Sequence, residues 1–245
     1  MAITKVRINR FYQASEIKVG NRISLCKNVS NHISRVLRLK DEQEIELFNG
    51  DGFNYCASIT ISGKTVTASI LSQTPAENES PLKIHLGQAI SRGERMDFTL
   101  QKSVELGVVS ITPLITERVQ FRYDTKRLQK KLHHWQKIIE SACEQSGRAL
   151  VPTLNSPLSL RCWLESETLP GLVFVPGATS KIADFSCQGA MRLVVGPEGG
   201  LSESEVELIL NSHPFTATQL GPRILRTETA ALTGISILQA QFGDL

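Results

Sequence analysis

The chain is poor in the features that mark disulfide-rich, zinc-binding and membrane-spanning proteins. Its five cysteines are scattered over 245 residues and form no C-x-x-C pair, which argues against a structural zinc site or a disulfide framework. No apolar run approaches the roughly 20 residues that span a bilayer. The stretch MAITKVRINRFYQ lacks the apolar core of a signal peptide. We therefore expect a cytoplasmic protein with reduced thiols, no metal and no membrane partner.

The sequence also lacks the common nucleotide-binding and hydrolase motifs. Its glycine-rich stretch GPEGG, residues 196–200, matches neither G-x-x-x-x-G-K-[ST] nor G-x-G-x-x-G. The chain has no G-x-S-x-G elbow, which would mark a serine hydrolase of the α/β type. These absences disfavour a nucleoside triphosphate, a dinucleotide or an acyl-enzyme as the basis of its chemistry.

Two segments near the C-terminus instead predict a ligand pocket built largely from main chain. VVGPEGGLSESE (194–205) and LGPRILRTETAAL (220–232) each read as a short strand, a Gly/Pro loop and a helix. Ser202 and Glu205 form a capping-box pattern, and Thr227 is the expected N-cap of the last helix. Because glycine lets backbone approach a ligand closely, two such loops can line one pocket.

The basic residues are concentrated at the N-terminus. Residues 1–72 hold ten Lys/Arg against six Asp/Glu, whereas residues 73–245 hold seventeen against eighteen. A basic segment attached to a near-neutral body indicates a polyanionic partner, and nucleic acid is the obvious one. A soluble surface with no partner is the alternative explanation of this charge.

The pattern along the chain predicts two domains. Residues 1–72 contain short β-rich segments between hairpin turns at 49–52 and 62–64, which predicts a small barrel. A helix is expected at NHISRVLRL, with Ile33, Val36 and Leu37 on one face. The polar stretch 72–81 is the best linker candidate. Residues 73–245 alternate strands with helices, which is typical of an α/β domain with a parallel sheet.

These segments resemble a known family over essentially the whole chain. The two C-terminal motifs are similar to those of the trefoil-knotted SPOUT methyltransferases. RINRFYQ, NHISRVLRL, RGERMDFTLQKSVELG and ACEQSGR resemble, in the same order, stretches of the 16S ribosomal RNA (uridine-N3) methyltransferases. The resemblance implies a PUA-like RNA-binding β-barrel at 1–72, a deeply knotted α/β domain at 73–245, and a homodimer.

The resemblance also implies the cofactor, S-adenosylmethionine, which leaves as S-adenosylhomocysteine. Three loops would hold it mainly through backbone groups. The residues expected to bind it are Val175, Pro176, Gly177, Val195, Gly196, Pro197, Glu198, Gly199, Gly200, Leu220, Gly221, Ile224, Leu225, Arg226 and Thr229.

Two side chains are the expected catalytic residues, Arg223 and Glu198. A sulfonium is already activated for methyl transfer, but uracil N3 must lose a proton, so donors that stabilise an imidate-like base are expected. Arg223 follows Gly221-Pro222 and offers a fork of donors to uracil carbonyls or to phosphate. Glu198 could accept from the cofactor, help to deprotonate the base, or stabilise its own loop.

The expected function is methylation of N3 of a uridine in 16S ribosomal RNA, within the small subunit. A knotted ribose 2′-O-methyltransferase acting on ribosomal or transfer RNA is one alternative. A non-catalytic RNA-binding assembly factor is another. The residues expected to contact RNA are Arg7, Arg10, Arg35, Arg38, Arg92, Arg95, Lys102 and Arg148.

Overall fold

The structure, a computed structural model, describes residues 8–119, 124–212 and 214–245. The chain divides into two compact units, and neither is continuous in sequence. The first contains the residues up to Glu79 together with Cys143–Val151, and the second contains Ser80–Ala142 and Pro152–Leu245. The division after Glu79 lies inside the predicted linker, but the segment from Cys143 to Val151 was not expected to join the first unit.

The first unit is built on a five-stranded sheet in the order β1-β3-β4-β5-β2. The predicted hairpin turns join β3 to β4 and β4 to β5, and both pairs are antiparallel. Because β5 continues to Pro75, residue 72 lies within a strand. The strands are β1 (Arg10–Tyr12), β2 (Arg22–Ser24), β3 (Glu44–Phe48), β4 (Phe53–Ser62) and β5 (Thr65–Pro75).

The helix predicted at NHISRVLRL forms, but its apolar face is not the one expected. Helix α1 (Lys27–Asn31) continues as a π-helix over His32–Leu37. Ile33 is fully buried, whereas Val36 and Leu37 are 70% and 37% exposed. A π-helix turns more slowly than an α-helix, so residues three and four apart no longer share one face. The prediction that Val36 and Leu37 share the face of Ile33 is therefore wrong.

Arg10, expected at the RNA surface, is buried in a hydrogen-bond network of the first unit. Its guanidinium lies 3.9 Å from the centroid of the Phe48 ring, and its side chain is 8% exposed. Four bonds occupy most of its five N–H donors, so its assignment to RNA is wrong. The acceptors are Glu46 Oε1 at 2.6 Å, Asn54 Oδ1 at 2.8 Å, and the carbonyl oxygens of Cys143 and Arg148 at 2.6 and 3.0 Å.

Arg148 is also structural rather than exposed to RNA. Its residue is 3% exposed, and its Nη2 donates to Glu79 Oε2 at 2.7 Å. Its Nε lies 3.1 and 3.2 Å from the two Glu79 oxygens, which completes a two-pronged ion pair. Arg10 and Arg148 together bind the segment Cys143–Val151 to the rest of the first unit.

The second unit contains a seven-stranded sheet, ordered β12-β10-β11-β6-β7-β8 with β9 paired to β7. Every pairing in it is parallel, as the alternation of strands and helices predicts. The strands are β6 (Lys83–Ala89), β7 (Ser110–Ile115), β8 (Thr153–Leu154), β9 (Leu158–Ser159), β10 (Gly171–Phe174), β11 (Ala190–Val195) and β12 (Phe215–Thr218).

In this unit α2 packs against α6, α4 packs against α5, and Trp135 of α3 donates to Asp97 of α2 at 3.2 Å. The spacing of Met96, Leu100 and Val104 predicts that they face inward from one side of α2, and all three are fully buried. No helix of the described ranges is long and apolar enough to cross a membrane. The helices are α2 (Glu94–Glu105), α3 (Thr125–Ser146), α4 (Leu160–Glu165), a 3-10 turn (Ile182–Asp184), α5 (Glu203–Asn211) and α6 (Thr227–Phe242).

Arg192, on β11, is a buried cation that caps the C-terminal end of α4. Its guanidinium donates to the carbonyl oxygens of Trp163, Leu164 and Glu167 and lies 3.7 Å from the centroid of the Trp163 ring. Burial lowers its pKa to about 10, so it still carries a charge at neutral pH. One side chain thus donates to three carbonyl oxygens at and just after a helix end, where carbonyl groups lack partners within the helix.

We predict that Arg192→Met destabilises the chain by about 3 kcal/mol, because the carbonyl oxygens of Leu164 and Glu167 lose the donor that Arg192 supplies. Thermal unfolding should then occur several degrees lower. Arg161→Met on the exposed side of α4 is the matched control and should change the midpoint little. Equal midpoints for the two variants would contradict the capping role of Arg192.

Candidate functional site

A pocket of about 610 Å³ opens at the carboxyl edge of the parallel sheet, a size typical of small-molecule sites. In open α/β sheets ligands bind outside the carboxyl ends of the strands, and here β10, β11 and β12 end at this pocket. Its walls are formed by residues 174–176, 195–201, 219–221 and 224–227, with Arg95, Arg118, Val206 and Ala230.

Every residue predicted to hold the cofactor lines this pocket except Gly177 and Thr229. Gly177, with a φ of +82°, and Thr229, on α6, are both exposed. The three loops that the sequence singled out are therefore brought together, although they are separated along the chain by helices and strands. Their assignment to a cofactor stays a prediction.

Thr227 connects the loop that precedes α6 to the loop that follows β11. Its hydroxyl donates to the carbonyl oxygen of Gly196 at 2.6 Å and accepts from Gln88 Nε2 at 3.0 Å. Thr227 is the first residue of α6 rather than its N-cap, because Arg226 has the extended backbone of the N-cap position. The predicted cap is thus wrong, and the hydroxyl serves the tertiary fold instead of its own helix.

The loop that follows β11 ends at the predicted capping box of α5. Ser202 Oγ accepts from Glu205 N at 3.2 Å, and Glu205 Oε2 accepts from Ser202 N at 2.9 Å. Glu205 Oε1 also accepts from the backbone N–H of Glu117 at 2.8 Å. One buried carboxylate therefore fixes both the start of α5 and the segment that follows β7.

Arg118 is a pocket residue that the sequence does not reveal. It follows β7, and its Nη1 donates to the carbonyl oxygen of Gly199 at 2.7 Å. A Cβ added at Gly199 would lie 3.5 Å from the Arg118 side chain, so the two groups are in close contact. The parallel pairing of β6 with β7 brings this arginine to the pocket, and no local motif marks it.

Glu198 and Arg95 form an ion pair at the pocket wall. Glu198 Oε1 accepts from Arg95 Nη1 at 3.2 Å and from the backbone N–H of Arg92 at 3.0 Å. Partial burial acts to raise the pKa of Glu198, but these hydrogen bonds outweigh it and hold the pKa below its usual value. Glu198 is thus a stable carboxylate, which favours its structural interpretation over that of a proton acceptor.

Arg223 does not line the pocket of its own chain. It is exposed, as is Ile224 beside it at 89%. Gly221, with a φ of +97°, turns the backbone so that Leu220 and Leu225 face the pocket while Arg223 lies outside its lining. The expected contact of Arg223 with reacting atoms is therefore not a feature of the isolated chain.

The remaining residues predicted to contact RNA differ in whether their side chains are exposed or already paired. Arg35 and Arg38 are exposed on the π-helix and the residue after it, and Arg38 has a left-handed backbone with a φ of 52°. Lys102 pairs with Glu105 at 2.7 Å, and the exposed Arg92 contributes its backbone to Glu198. Arg7 lies outside the described residues.

Comparison with family models identifies two regions that match the two units. Residues 25–71 match an RNA methyltransferase PUA domain, and residues 78–239 match an RNA methyltransferase domain. The second match covers most of the sheet, the pocket loops and α6.

Curated relatives match this chain over nearly its whole length. A ribosomal RNA small subunit methyltransferase E from Buchnera aphidicola subsp. Schizaphis graminum is 41% identical and is covered over 99% of its length by 98% of this chain. One from Bacillus subtilis is 30% identical, over 92% of this chain and 93% of the relative.

Solved structures are similar over their full lengths. A ribosomal RNA small subunit methyltransferase E from Neisseria gonorrhoeae, bound to S-adenosyl methionine, has a TM-score of 0.91 and 41% identity over 98% of this chain and 100% of its own. A Legionella pneumophila protein with the bound cofactor SAM has a TM-score of 0.93 and 44% identity over the same shares. With its PUA-type first region, its parallel sheet and the pocket at the carboxyl edge, the chain belongs to the ribosomal RNA small subunit methyltransferase E family.

Proposed function

We propose that this protein transfers a methyl group from S-adenosylmethionine to N3 of a uridine in 16S ribosomal RNA. The observation that carries the proposal is the pocket itself, because glycine-rich loops after three parallel strands form most of its wall. Two solved structures that this chain matches over their full lengths hold S-adenosylmethionine, and the name of the one from Neisseria gonorrhoeae assigns it to small-subunit ribosomal RNA. The choice of N3 and of uridine rests on the family resemblance of the sequence motifs.

The residues present suit the proposed cofactor. Apolar side chains such as Val175, Leu220 and Leu225 can enclose the adenosine, while Gly196 and Gly199 leave room for close main-chain contact. The charged groups at the wall, Glu198 and Arg226 among them, complement the ammonium and carboxylate of its methionine part. When bound, the cofactor supplies a methyl group on a sulfonium, which is already an activated leaving group.

The same proposal includes the fold type of each unit, the oligomeric state and the cellular location. We take the first unit to be a PUA-like barrel and the second to contain a deep trefoil knot, since its sheet order and whole-chain similarity fit that topology. We also take the enzyme to be a cytoplasmic homodimer. The half-exposed Ile237 lines a mainly apolar recess together with Ile182, Leu220 and other residues, and a second copy would cover such a surface.

RNA would be held by exposed cations and not by the buried ones. Arg35 and Arg38 of the first unit remain in the proposal, whereas Arg10 and Arg148 do not. In the second unit Arg223 is assigned to the target nucleotide, since it is exposed next to the pocket loop and can offer donors to a phosphate. Duplex RNA hides uracil N3 in base pairs, so the target would have to be extruded to reach the pocket.

We expect the purified protein to convert uridine to N3-methyluridine in small subunits that lack this modification. Labelled S-adenosylmethionine and nucleoside analysis of the product measure the reaction, and fully modified subunits serve as the control. A methylated ribose in the product would instead support the 2′-O-methyltransferase alternative. Failure to bind S-adenosylmethionine or its product in a calorimeter would support the assembly factor.

Replacing Arg223 with Ala should leave the cofactor Kd unchanged and lower kcat/KM for RNA roughly 10- to 100-fold, since one charge-assisted contact is lost. Arg226→Ala provides the matched contrast. Arg226 lines the pocket, so its loss should weaken cofactor binding. The assignment of Arg223 fails if its variant binds the cofactor poorly while turning over RNA at the normal rate when saturated.

The double variant Arg35→Ala/Arg38→Ala should bind RNA more weakly and with a flatter salt dependence. Each lost phosphate contact reduces the slope of log K against log[salt] by roughly 0.7 to 0.9. Lys18→Ala is the control, because Lys18 already pairs with Glu16 at 2.8 Å. An unchanged slope for the double variant would remove this face from the RNA interface.

A further inference from the structure

Arg95 lies between two carboxylates that come from different segments of the pocket. Its Nη1 donates to Glu198 Oε1 at 3.2 Å, and its Nε lies 4.0 Å from Glu228 Oε1. Glu198 belongs to the loop after β11, whereas Glu228 lies in the first turn of α6. The guanidinium is therefore held on two sides by the two segments that form most of the pocket.

The two carboxylates differ in how they are held. Glu198 also accepts the backbone N–H of Arg92, which fixes it to the residues just before α2. The Glu228 side chain is only 14% exposed, and the dipole at the start of α6 favours its negative charge. Its Oε2 is buried and has no hydrogen-bond partner among the described residues. Arg95 is thus its cationic neighbour within the described part of the chain.

The free edge of the Arg95 guanidinium is available to a ligand. Arginine has five N–H donors, and the described contacts of Arg95 involve Nη1 and Nε and leave Nη2 unused. The side chain is 43% exposed and lines the pocket. Donors that are already oriented stabilise developing charge without the cost of reorganisation, and the two carboxylates provide that orientation.

We propose that Arg95 donates through Nη2 to a carbonyl oxygen of the target uracil and stabilises the negative charge that develops there. This role rests on the proposed uridine-N3 methylation. In that reaction a bond forms between N3 and the methyl carbon, and the bond from that carbon to sulfur breaks with its electron pair going to sulfur. The N3 proton passes to solvent, and the electrons it leaves are shared with the neighbouring carbonyl oxygens.

The surroundings of Arg95 favour a base over a phosphate as its partner. A phosphate at Nη2 would carry a full negative charge close to Glu198 and Glu228, and like charges at such distances repel. A uracil carbonyl is neutral in the ground state and gains only part of a charge in the transition state. The position of Arg95 in the pocket wall, compared with that of Arg223 outside it, also suits a contact with the reacting base.

The test compares Arg95→Ala, Arg95→Lys and the exposed control Arg161→Ala in the full chain. We expect Arg95→Ala to lower kcat about 100- to 1000-fold, the usual effect of removing one such donor, with RNA and cofactor Kd values within twofold of wild type. Because Arg95 lowers the pKa of bound uracil N3, the kcat profile of this variant should shift to higher pH. Arg95→Lys keeps the charge but loses the fork, and should recover only part of kcat.

Glu228→Gln provides a second measurement of the same arrangement. It keeps the shape of the side chain but removes one anchor of Arg95, so kcat should fall and its pH profile should shift in the same direction. Glu207→Gln, on the exposed surface of α5, should leave both unchanged.

Three results would overturn the inference. A weaker RNA Kd with a flatter salt slope and a normal kcat would make Arg95 a phosphate contact, and a loss of cofactor affinity would make it a cofactor ligand. An Arg95→Ala variant with the pH profile of wild type would exclude a role at N3. If wild-type protein yields no N3-methyluridine, the proposed function itself fails, which is distinct from a defect confined to the Arg95 variants.

Discussion

The hydroxyl of Thr227 is the interaction on which the geometry of the pocket depends. It donates to the carbonyl oxygen of Gly196 and accepts from Gln88, so the end of β6, the loop after β11 and the start of α6 meet at one atom. Glycine-rich loops have many accessible conformations, so a pocket made from them keeps its shape only if a tertiary interaction fixes the loops. Thr227, which immediately follows the loop before α6, supplies this interaction.

Around this point the charged side chains divide into those that hold loops and those left for a ligand. Glu205 and Arg118 bind backbone groups of neighbouring loops. Glu198 does so through the N–H of Arg92 and also orients a guanidinium. The lowered pKa of Glu198 explains why a carboxylate at the wall of a pocket need not act as a base. In the proposed reaction, proton transfer from uracil depends more on stabilising the base than on a strong acceptor.

Local patterns predicted what local interactions determine. Short stretches of sequence determine the hairpin turns, the capping box at Ser202, the buried face of α2 and the loops that line the pocket. Val36 was expected on the face of Ile33, but the wider turn of the π-helix separates them, and a π-helix has no simple sequence signature. Arg10, Arg118 and Arg192 were missed or misassigned for another reason: their partners are distant in sequence, so only the fold reveals that an apparently free cation is already bonded.

The assignment of Cys143–Val151 to the first unit has a consequence for synthesis and for truncation. Domains generally fold as the chain emerges, with the N-terminal one first. Here Arg10 and Glu79 leave the ribosome long before the carbonyl oxygens and the guanidinium that complete their bonds. The N-terminal unit therefore lacks these hydrogen bonds while the first strands of the second unit are synthesised. A fragment cut after Glu79 would keep the strands of this unit but lose the segment that satisfies its buried charges.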